Sequence, residues 1–474
     1  MKAFQLTFYE KSLTVRKIMR NIILITVDCL RADYISHLKN SIPSSLRAMC
    51  CTFNYALTNG PGTSQSFPAI FTSTPFLLHA SLRLTSIVET LANTLARARY
   101  YTTGFHSNPF LSSKLGWSRG FREFYDFLSK VESPAAVAVR SSGAKRMLFK
   151  MLGRVLNGSS RRVWAKLNRL YYKFKGAKLP YIEAKELNGY VTSWLKHYNK
   201  RYPLFLWVHY MDTHSPFVPP KPWLKGFDSR ELAFSFNYKI DLERPSQEDI
   251  RKLKMLYEGE VKYVSSLISE FLDFLENSEW IDDSLVIITA DHGEAFMEHG
   301  KFGHAYDILY NEVLHIPLLI YGLEEKGTIK RPVQLMDLAP TILDILGVSR
   351  PRTFMGRSFY PLIRGEEWKE RPIFSESAVP DLINLKYDTS RYIVSVTYKG
   401  WKLIYDLINS KEPRLELYDL TKDFNERVNL VEDEPEIVKE LFMLIEAHLR
   451  KIRAKRTLYK KFESIRERLR GSTT

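Results

Sequence analysis

Cysteine is scarce in this chain, with three in 474 residues. Cys29, Cys50 and Cys51 are too few, and two of them too close together, for a disulfide framework. A reducing, cytoplasmic compartment is therefore the default expectation. Long apolar runs are missing too. The run from Ile22 to Val27 is far shorter than the about 20 apolar residues that span a bilayer, which excludes a membrane-spanning helix there. Residues 1–18 contain no signal-peptide apolar core or cleavage site. Met19, directly ahead of Arg20-Asn21, is a candidate start, with 1–18 as an N-terminal extension. No internal repeat is present, which excludes solenoids and propellers.

Acidic residues are absent from one long stretch. Arg140 to Lys178 holds twelve basic residues and no acidic one, and Arg450 to Arg470 holds ten basic and two acidic. The formal net charge of the whole chain is +16, so everything outside these two stretches is near neutral. Two readings of the basic segments stay open. They are solvated helix faces, or they meet an anionic membrane surface or an acidic glycan, which would put the protein at a membrane surface. A specific nucleic-acid partner is not expected.

What is present is the composition of a folded protein, 45% hydrophobic and 26% charged, which excludes disorder as the main state. The length predicts more than one unit. A large domain is expected over 19–345, with a basic helical insertion at about 134–180. A C-terminal antiparallel-sheet subdomain follows over 346–445, and a basic helical tail over 446–474. Apolar runs at 21–27, 204–208, 284–289 and 316–320 read as buried strands. Helical patterns read at 85–99 and 252–275. Strands apolar throughout, separated by helices, predict a sheet covered on both faces: an α/β three-layer sandwich with a mostly parallel central sheet. Short antiparallel strands are expected at 393–397, 401–404 and 415–418, then a helix over 434–449.

The strands end in polar residues. Val27 is followed by Asp28, Val208 by His209, and Ala290 by Asp291-His292. Sites in open α/β sheets form at the carboxyl ends of strands. Asp28, Asp291 and His292 are oxygen and nitrogen donors of the kind that hold divalent cations; alternatively Asp291-His292-Gly293 is only a polar turn. Thr63 sits in a turn-rich loop, Asn59 to Pro68, that leads into an apolar helix at Ala69 to Ser73. A hydroxyl at a helix N-terminus sits where anions are favoured, and a nearby cation would activate it as a nucleophile. The alternative is that Thr63 caps the helix. His209, His214, His299 and His304, with Lys301, cluster in two further segments and are suited to binding a tetrahedral anion or protonating a leaving alkoxide.

Several of these segments together resemble the sulfatase family of the alkaline phosphatase superfamily: Asn21 to Asp33, His209-Tyr210-Met211-Asp212-Thr213-His214-Ser215-Pro216, Thr289 to Glu294, His299 to His304, Gln334 to Asp344 and Leu417 to Asn429. The resemblance implies an alkaline phosphatase-like fold. It implies one divalent ion (Mn, Mg, Zn or Ca) on Asp28, Asp291 and His292, with the Thr63 hydroxyl as a further ligand. It implies that His214 and His304 act with Thr63 in catalysis, and that His209, His106, Asn108 and Lys301 bind substrate. The departures are specific. Sulfatases proper carry Cys-x-Pro-Ser-Arg, whose Cys becomes formylglycine; here that position is Thr63 and the Arg position is Phe67. They usually have two Asp at the first strand end; here the second is Cys29. A second metal needs an Asp-x-x-x-His pair, and Asp212 has Pro216 at that spacing. The expectation is a metal-dependent hydrolase or transferase of phosphate or sulfate esters, with Thr63 favouring phosphoester chemistry. The alternatives are a true sulfuric ester hydrolase without formylglycine and a non-catalytic protein that binds anionic polymers.

Overall fold

Asn21–Val27 is a strand whose Ile22, Ile23, Leu24, Ile25 and Val27 are all fully buried. Burying each such side chain stabilises the fold by roughly 1.5–3 kcal/mol relative to exposure. A strand apolar on both faces must lie inside a covered sheet, and this one does. The computed structural model describes residues 20–48, 50–131, 178–381, 384–408 and 412–471, with side-chain surroundings given as far as 462. The expected N-terminal extension and nearly all of the expected basic insertion lie outside the described residues.

The main sheet has eight strands: β1 Asn21–Val27, β2 Cys50–Phe53, β3 Tyr101–Phe105, β4 Glu123–Tyr125, β5 Leu204–Tyr210, β6 Ser284–Ala290, β7 Leu318–Tyr321 and β8 Gly327–Ile329. Their order is β8-β2-β7-β6-β1-β5-β3-β4. Every neighbouring pair is parallel except the two that involve β7. Helices form two packed groups. Ile35–Ser41 and Ala184–His197 pack on the long helix Gln247–Asn277, and Leu91–Arg97 and Leu338–Ile345 pack on Thr63–Thr72. Phe67 and Phe71 of the Thr63–Thr72 helix meet Trp207 of β5 edge to face, which seats that helix on the sheet. Among the described residues no helix is long and apolar enough to cross a membrane.

A second sheet of four antiparallel strands is separate: β9 Ile373–Asp381, β10 Lys386–Tyr398, β11 Trp401–Asp406 and β12 Arg414–Asp419, in that order. It is not remote from the first. One of its faces shares the main core through Ala378, Val394, Val396, Leu403 and Leu417, while Ile373, Ile393, Ile404 and Tyr418 build a separate smaller core, and β9 docks on the loop that carries Thr63. The final helix, Pro435–Gly471, covers this sheet through Leu441, Ile445, Leu449 and Ile452. His448 on it stacks on Phe374 and bonds the buried Glu376 carboxylate at 2.9 Å.

Three expectations shift. The helix read at 85–99 spans only Leu91–Arg97, because the Thr90 hydroxyl accepts from Asn93 N and caps it there. His209 lies within β5 rather than beyond it. The strand β9 carries Ser375, Glu376 and Ser377, whose polarity hid it from an apolar-run reading.

Candidate active site

Register builds the site. Val27 pairs with Ala290, so the next residue of each strand, Asp28 and Asp291, emerges side by side. Gly293 permits the turn that follows: a Cβ there would lie 2.3 Å from the Glu312 carbonyl oxygen. The Thr63 loop is fixed from the opposite side. Asn59 Nδ2 donates to Gln334 Oε1 and to the Phe374 carbonyl, both at 2.8 Å, and its Oδ1 accepts from Met336 N at 2.8 Å. Gly60 lies so close to Gln65 that a Cβ would sit 2.4 Å from that residue's Cβ. Thr63 then becomes the first helical residue, with Gly62 as N-cap and no side-chain cap bond. Its hydroxyl is thus released from capping and donates to Asp28 Oδ2 at 3.3 Å.

Asp28 is fully buried and is the hub. Its Oδ2 also accepts from Asn108 Nδ2 at 2.9 Å and from His209 Nε2 at 3.2 Å, and its Oδ1 from the Cys29 thiol at 3.1 Å. Burial alone pushes this carboxyl up, but the His209 hydrogen bond and the nearby histidines outweigh it and hold Asp28 well below the ordinary carboxylate range. Asp291 is the reverse case. Burial and the Asp28 carboxylate push it well up. Burial, with His304 beside it, pushes His292 down to about 4, so its ring is neutral at pH 7. The Cys29 thiol is pushed well up by burial and by Glu294, Asp28 and Asp291.

Whether a cation fits here can be judged from the polar atoms. His292 Nδ1–H donates to the Gly293 carbonyl at 2.9 Å, which leaves a lone pair on Nε2. That Nε2 and Asp291 Oδ2 are buried with no hydrogen-bond partner. They lie 3.5 Å apart, and Nε2 is also 3.5 Å from Asp28 Oδ1. Buried polar atoms are rarely left unpaired. Two carboxylates and an imidazole lone pair converging on one point are a donor set for a divalent cation.

Thr63, Asn108, Asp28, Asp291 and His292 are therefore brought together. His304 joins them: its ring lies 4.5 Å from His292 and 5.1 Å from His214, centre to centre. Its Nδ1 is held by Glu294 Oε2 at 3.1 Å. Glu294, buried, was not singled out from sequence, although its place directly after Asp-His-Gly was the available signal.

The other expected substrate contacts sit elsewhere. His209 is fully buried behind Asp28. Trp207 Nε1–H donates to Thr26 Oγ1, Thr26 Oγ1 meets His209 Nδ1 at 2.9 Å, and His209 Nε2 faces Asp28. Because a carboxylate only accepts, His209 carries its proton on Nε2 toward Asp28, and Nδ1 accepts from the Thr26 hydroxyl. His106 is fully buried among Phe124 and Trp207, where burial pushes it well down. Lys301 is held by Asp307, with its ammonium 3.0 Å from the carboxylate and 2.9 Å from the carbonyl.

Comparison with known proteins follows the same lines. A family model described as Sulfatase matches residues 20–348, and one described as N-sulphoglucosamine sulphohydrolase, C-terminal, matches 297–455. Arylsulfatase K of Danio rerio is 25% identical over 353 residues, 73% of this chain and 64% of that protein, so the chain spans less than two thirds of this relative's length. The phosphonate monoester hydrolase SpPMH from Silicibacter pomeroyi has a solved structure with TM-score 0.67 and 20% identity, covering 92% of this chain and 96% of that one. A protein solved in complex with its substrate D-glucosamine-2-N,6-O-disulfate gives TM-score 0.67 and 16% identity, covering 92% and 98%. At these identities the structural likeness concerns the fold.

Proposed function

This chain belongs to the sulfatase family, and from that premise we propose that it is a phosphoester hydrolase or transferase with Thr63 as nucleophile. The observation that carries the proposal is the Thr63 hydroxyl at 3.3 Å from Asp28, beside the two orphaned atoms Asp291 Oδ2 and His292 Nε2. Asp28, Asp291 and His292 would hold one divalent cation, which supplies Lewis-acid stabilisation of anionic oxygen and favours ionisation of a hydroxyl at its edge.

The chain's own residues do the rest. A hydroxyl has one proton and two lone pairs. Thr63 gives its proton to Asp28 and accepts from Asn108 Nδ2 at 3.3 Å, so one lone pair remains for attack. The helix that Thr63 begins favours a negatively charged substrate at its N-terminus. Glu294 orients the His304 imidazole, and His214 faces it across the same opening; these two are suited to hold the ester anion and to protonate the leaving alkoxide. His209 acts behind the site as a positioning residue for Asp28.

Threonine rather than a formylglycine precursor favours phosphorus. A threonyl phosphate can be released by in-line attack of water or an acceptor alcohol, whereas a threonyl sulfate lacks the elimination route that an aldehyde hydrate provides. A second reading, sulfuric ester hydrolysis, is favoured by the arylsulfatase name of the curated relative. Turnover of an aryl phosphate, an aryl phosphodiester and an aryl sulfate by cation-loaded protein separates them. Phosphoesters are expected to turn over fastest, and Thr63→Ala to lose about 10³-fold or more, the scale on which removing a nucleophile acts. Preference for the sulfate supports the second reading, and unchanged rates in Thr63→Ala sink both.

The basic C-terminal helix supports an anionic surface partner. Leu458 and Phe462 on it are about half exposed, at 48% and 52%, among lysines and arginines. Apolar residues flanked by cations suit a lipid headgroup layer. Replacing both by serine is expected to abolish flotation of the full chain with vesicles rich in anionic lipid; unchanged flotation would contradict it.

A further inference from the structure

The cluster holds one more donor that the function just proposed does not use. We propose that Cys29 is a sulfur ligand to the same cation, and that it makes this a site for zinc-class ions rather than for magnesium or calcium. The inference rests on the cation reading of Asp28, Asp291 and His292.

The donor atoms stand close together on one side of the site, which leaves the side toward Thr63 for the hydroxyl. Cys29 Sγ lies 3.1 Å from Asp28 Oδ1; His292 Nε2 lies 3.5 Å from Asp28 Oδ1 and 3.5 Å from Asp291 Oδ2. Donor atoms of Asp28, Cys29 and His292 all fall within 4.8 Å of one another, and all three residues are buried. Zinc bonds of about 2.0 Å to oxygen and nitrogen and about 2.3 Å to sulfur, at tetrahedral angles, require donor separations of about 3.3–3.5 Å. His292 Nε2 already stands at that spacing from both carboxylates, and the Cys29 sulfur stands slightly closer to Asp28. Asp291 Oδ2 and His292 Nε2, buried and without partners, are aimed into the same space.

The backbone supports the assignment. Cys29 has φ +60, a left-handed conformation that a β-substituted residue adopts only when its surroundings impose it. Three contacts do so. The Cys29 carbonyl accepts from Tyr257 at 2.8 Å, the Tyr257 oxygen accepts from Arg31 N at 3.0 Å, and Thr213 bonds the Asp28 carbonyl. The sulfur is thus held against Asp28 instead of turning outward. His304 Nδ1 lies 3.4 Å from the same sulfur, but Glu294 holds it as a proton partner and keeps it outside the shell.

Sulfur decides the metal by softness. Magnesium and calcium take oxygen donors, while a thiolate with an imidazole selects zinc and its neighbours. On binding, the S–H bond breaks, the sulfur pair forms the bond to the cation and the proton leaves to solvent. Coordination deprotonates even a thiol that burial keeps neutral.

Cobalt(II) substitution reads this without relying on turnover. Wild-type protein titrated with one equivalent of cobalt(II) is expected to show an intense near-ultraviolet thiolate-to-cobalt charge-transfer band. Cys29→Ser should lose that band while keeping the weak visible bands of bound cobalt. In competition titrations wild type should prefer zinc over magnesium by about 100-fold or more, and Cys29→Asp should lower that ratio at least tenfold; aspartate tolerates the left-handed backbone. Bound cobalt without the band, or a ratio unmoved by Cys29→Asp, overturns the sulfur ligand and leaves the cation site standing. No cobalt bound to wild type at all overturns the cation site itself.

Discussion

Replacing Asp291 by asparagine should stabilise the cation-free protein and weaken the cation-loaded one. Donor oxygens of Asp28 and Asp291 lie within 4.8 Å of one another, and both residues are fully buried. Two like charges at that distance repel by about 3.5 kcal/mol at an effective dielectric constant of 20. Protonating one of them avoids the repulsion only at a cost of its own. Asparagine keeps an Oδ1 to accept from His292 N, as Asp291 does at 3.0 Å. It removes the charge and fills the same volume. A gain of about 1–3 kcal/mol in the cation-free state is expected, since part of the repulsion is already relieved by relaxation. A cation at a thousand times its Kd stabilises wild type by about 4.1 kcal/mol, more than the variant's advantage, and the variant much less. Thermal melts of chelator-treated protein, with and without zinc, should therefore cross: the variant melts higher without cation, wild type higher with it. If wild type is the more stable of the two without cation and zinc moves neither curve, the shared-cation reasoning fails.

Three further outcomes follow from the same contacts. Gly293→Ala forces a Cβ to within 2.3 Å of the Glu312 carbonyl oxygen; a stability loss of about 1–3 kcal/mol is expected from such overpacking, with weakened cation binding by calorimetry, and a silent substitution would show that the turn has slack. Glu294→Gln removes the carboxylate that orients His304; kcat should fall about 10–100-fold with little change in KM, on the scale of losing a supporting partner, and a pure KM effect would move Glu294 from orientation to binding. His79, whose Nε2 is 2.7 Å from the Thr74 hydroxyl, is pushed down to about 3 by burial and Arg119. Its folded value lies below its unfolded one, so its contribution is intact above about pH 6.5 and lost as pH falls toward 3. His79→Gln should flatten the decline of stability between about pH 6.5 and 4, by up to about 3 kcal/mol; identical slopes in denaturant titrations would remove His79 from the acid response.

The site was legible where burial and polarity change within one residue. Apolar strands ending in Asp28 and Asp291-His292 gave away both the sheet and the edge at which its carboxylates meet, because a parallel strand covered on both faces has no other reason to be apolar throughout. The Gly-rich approach to Thr63 likewise marked a turn before a helix, but the helix begins at Thr63 itself and carries Pro68 inside it, where the sequence suggests loop up to Pro68. Tertiary contacts hid the rest. His209 and His106 are expected from sequence to bind substrate, yet each is buried, one against Asp28 with Trp207 and Thr26 behind it, the other in an aromatic shell. Sequence cannot show which polar residues find buried partners. Lys301 similarly found Asp307. Strand β9 was invisible because Ser375 and Glu376 are buried by partners far away in the chain, Ser375 by the Thr58 carbonyl at 2.6 Å and Glu376 by Leu77 N at 2.6 Å. The Ser375 contact, with the bonds of Phe374 and Glu376 to Asn59, braces the Thr63 loop, so the second sheet supports the site as well as following it.

Anomalous diffraction from a crystal grown with zinc bears on all of this at once. The account predicts one peak within bonding distance of Asp28, Asp291 Oδ2 and His292 Nε2, with Thr63 Oγ1 at its edge. A crystal with zinc bound elsewhere and none among these residues would contradict it.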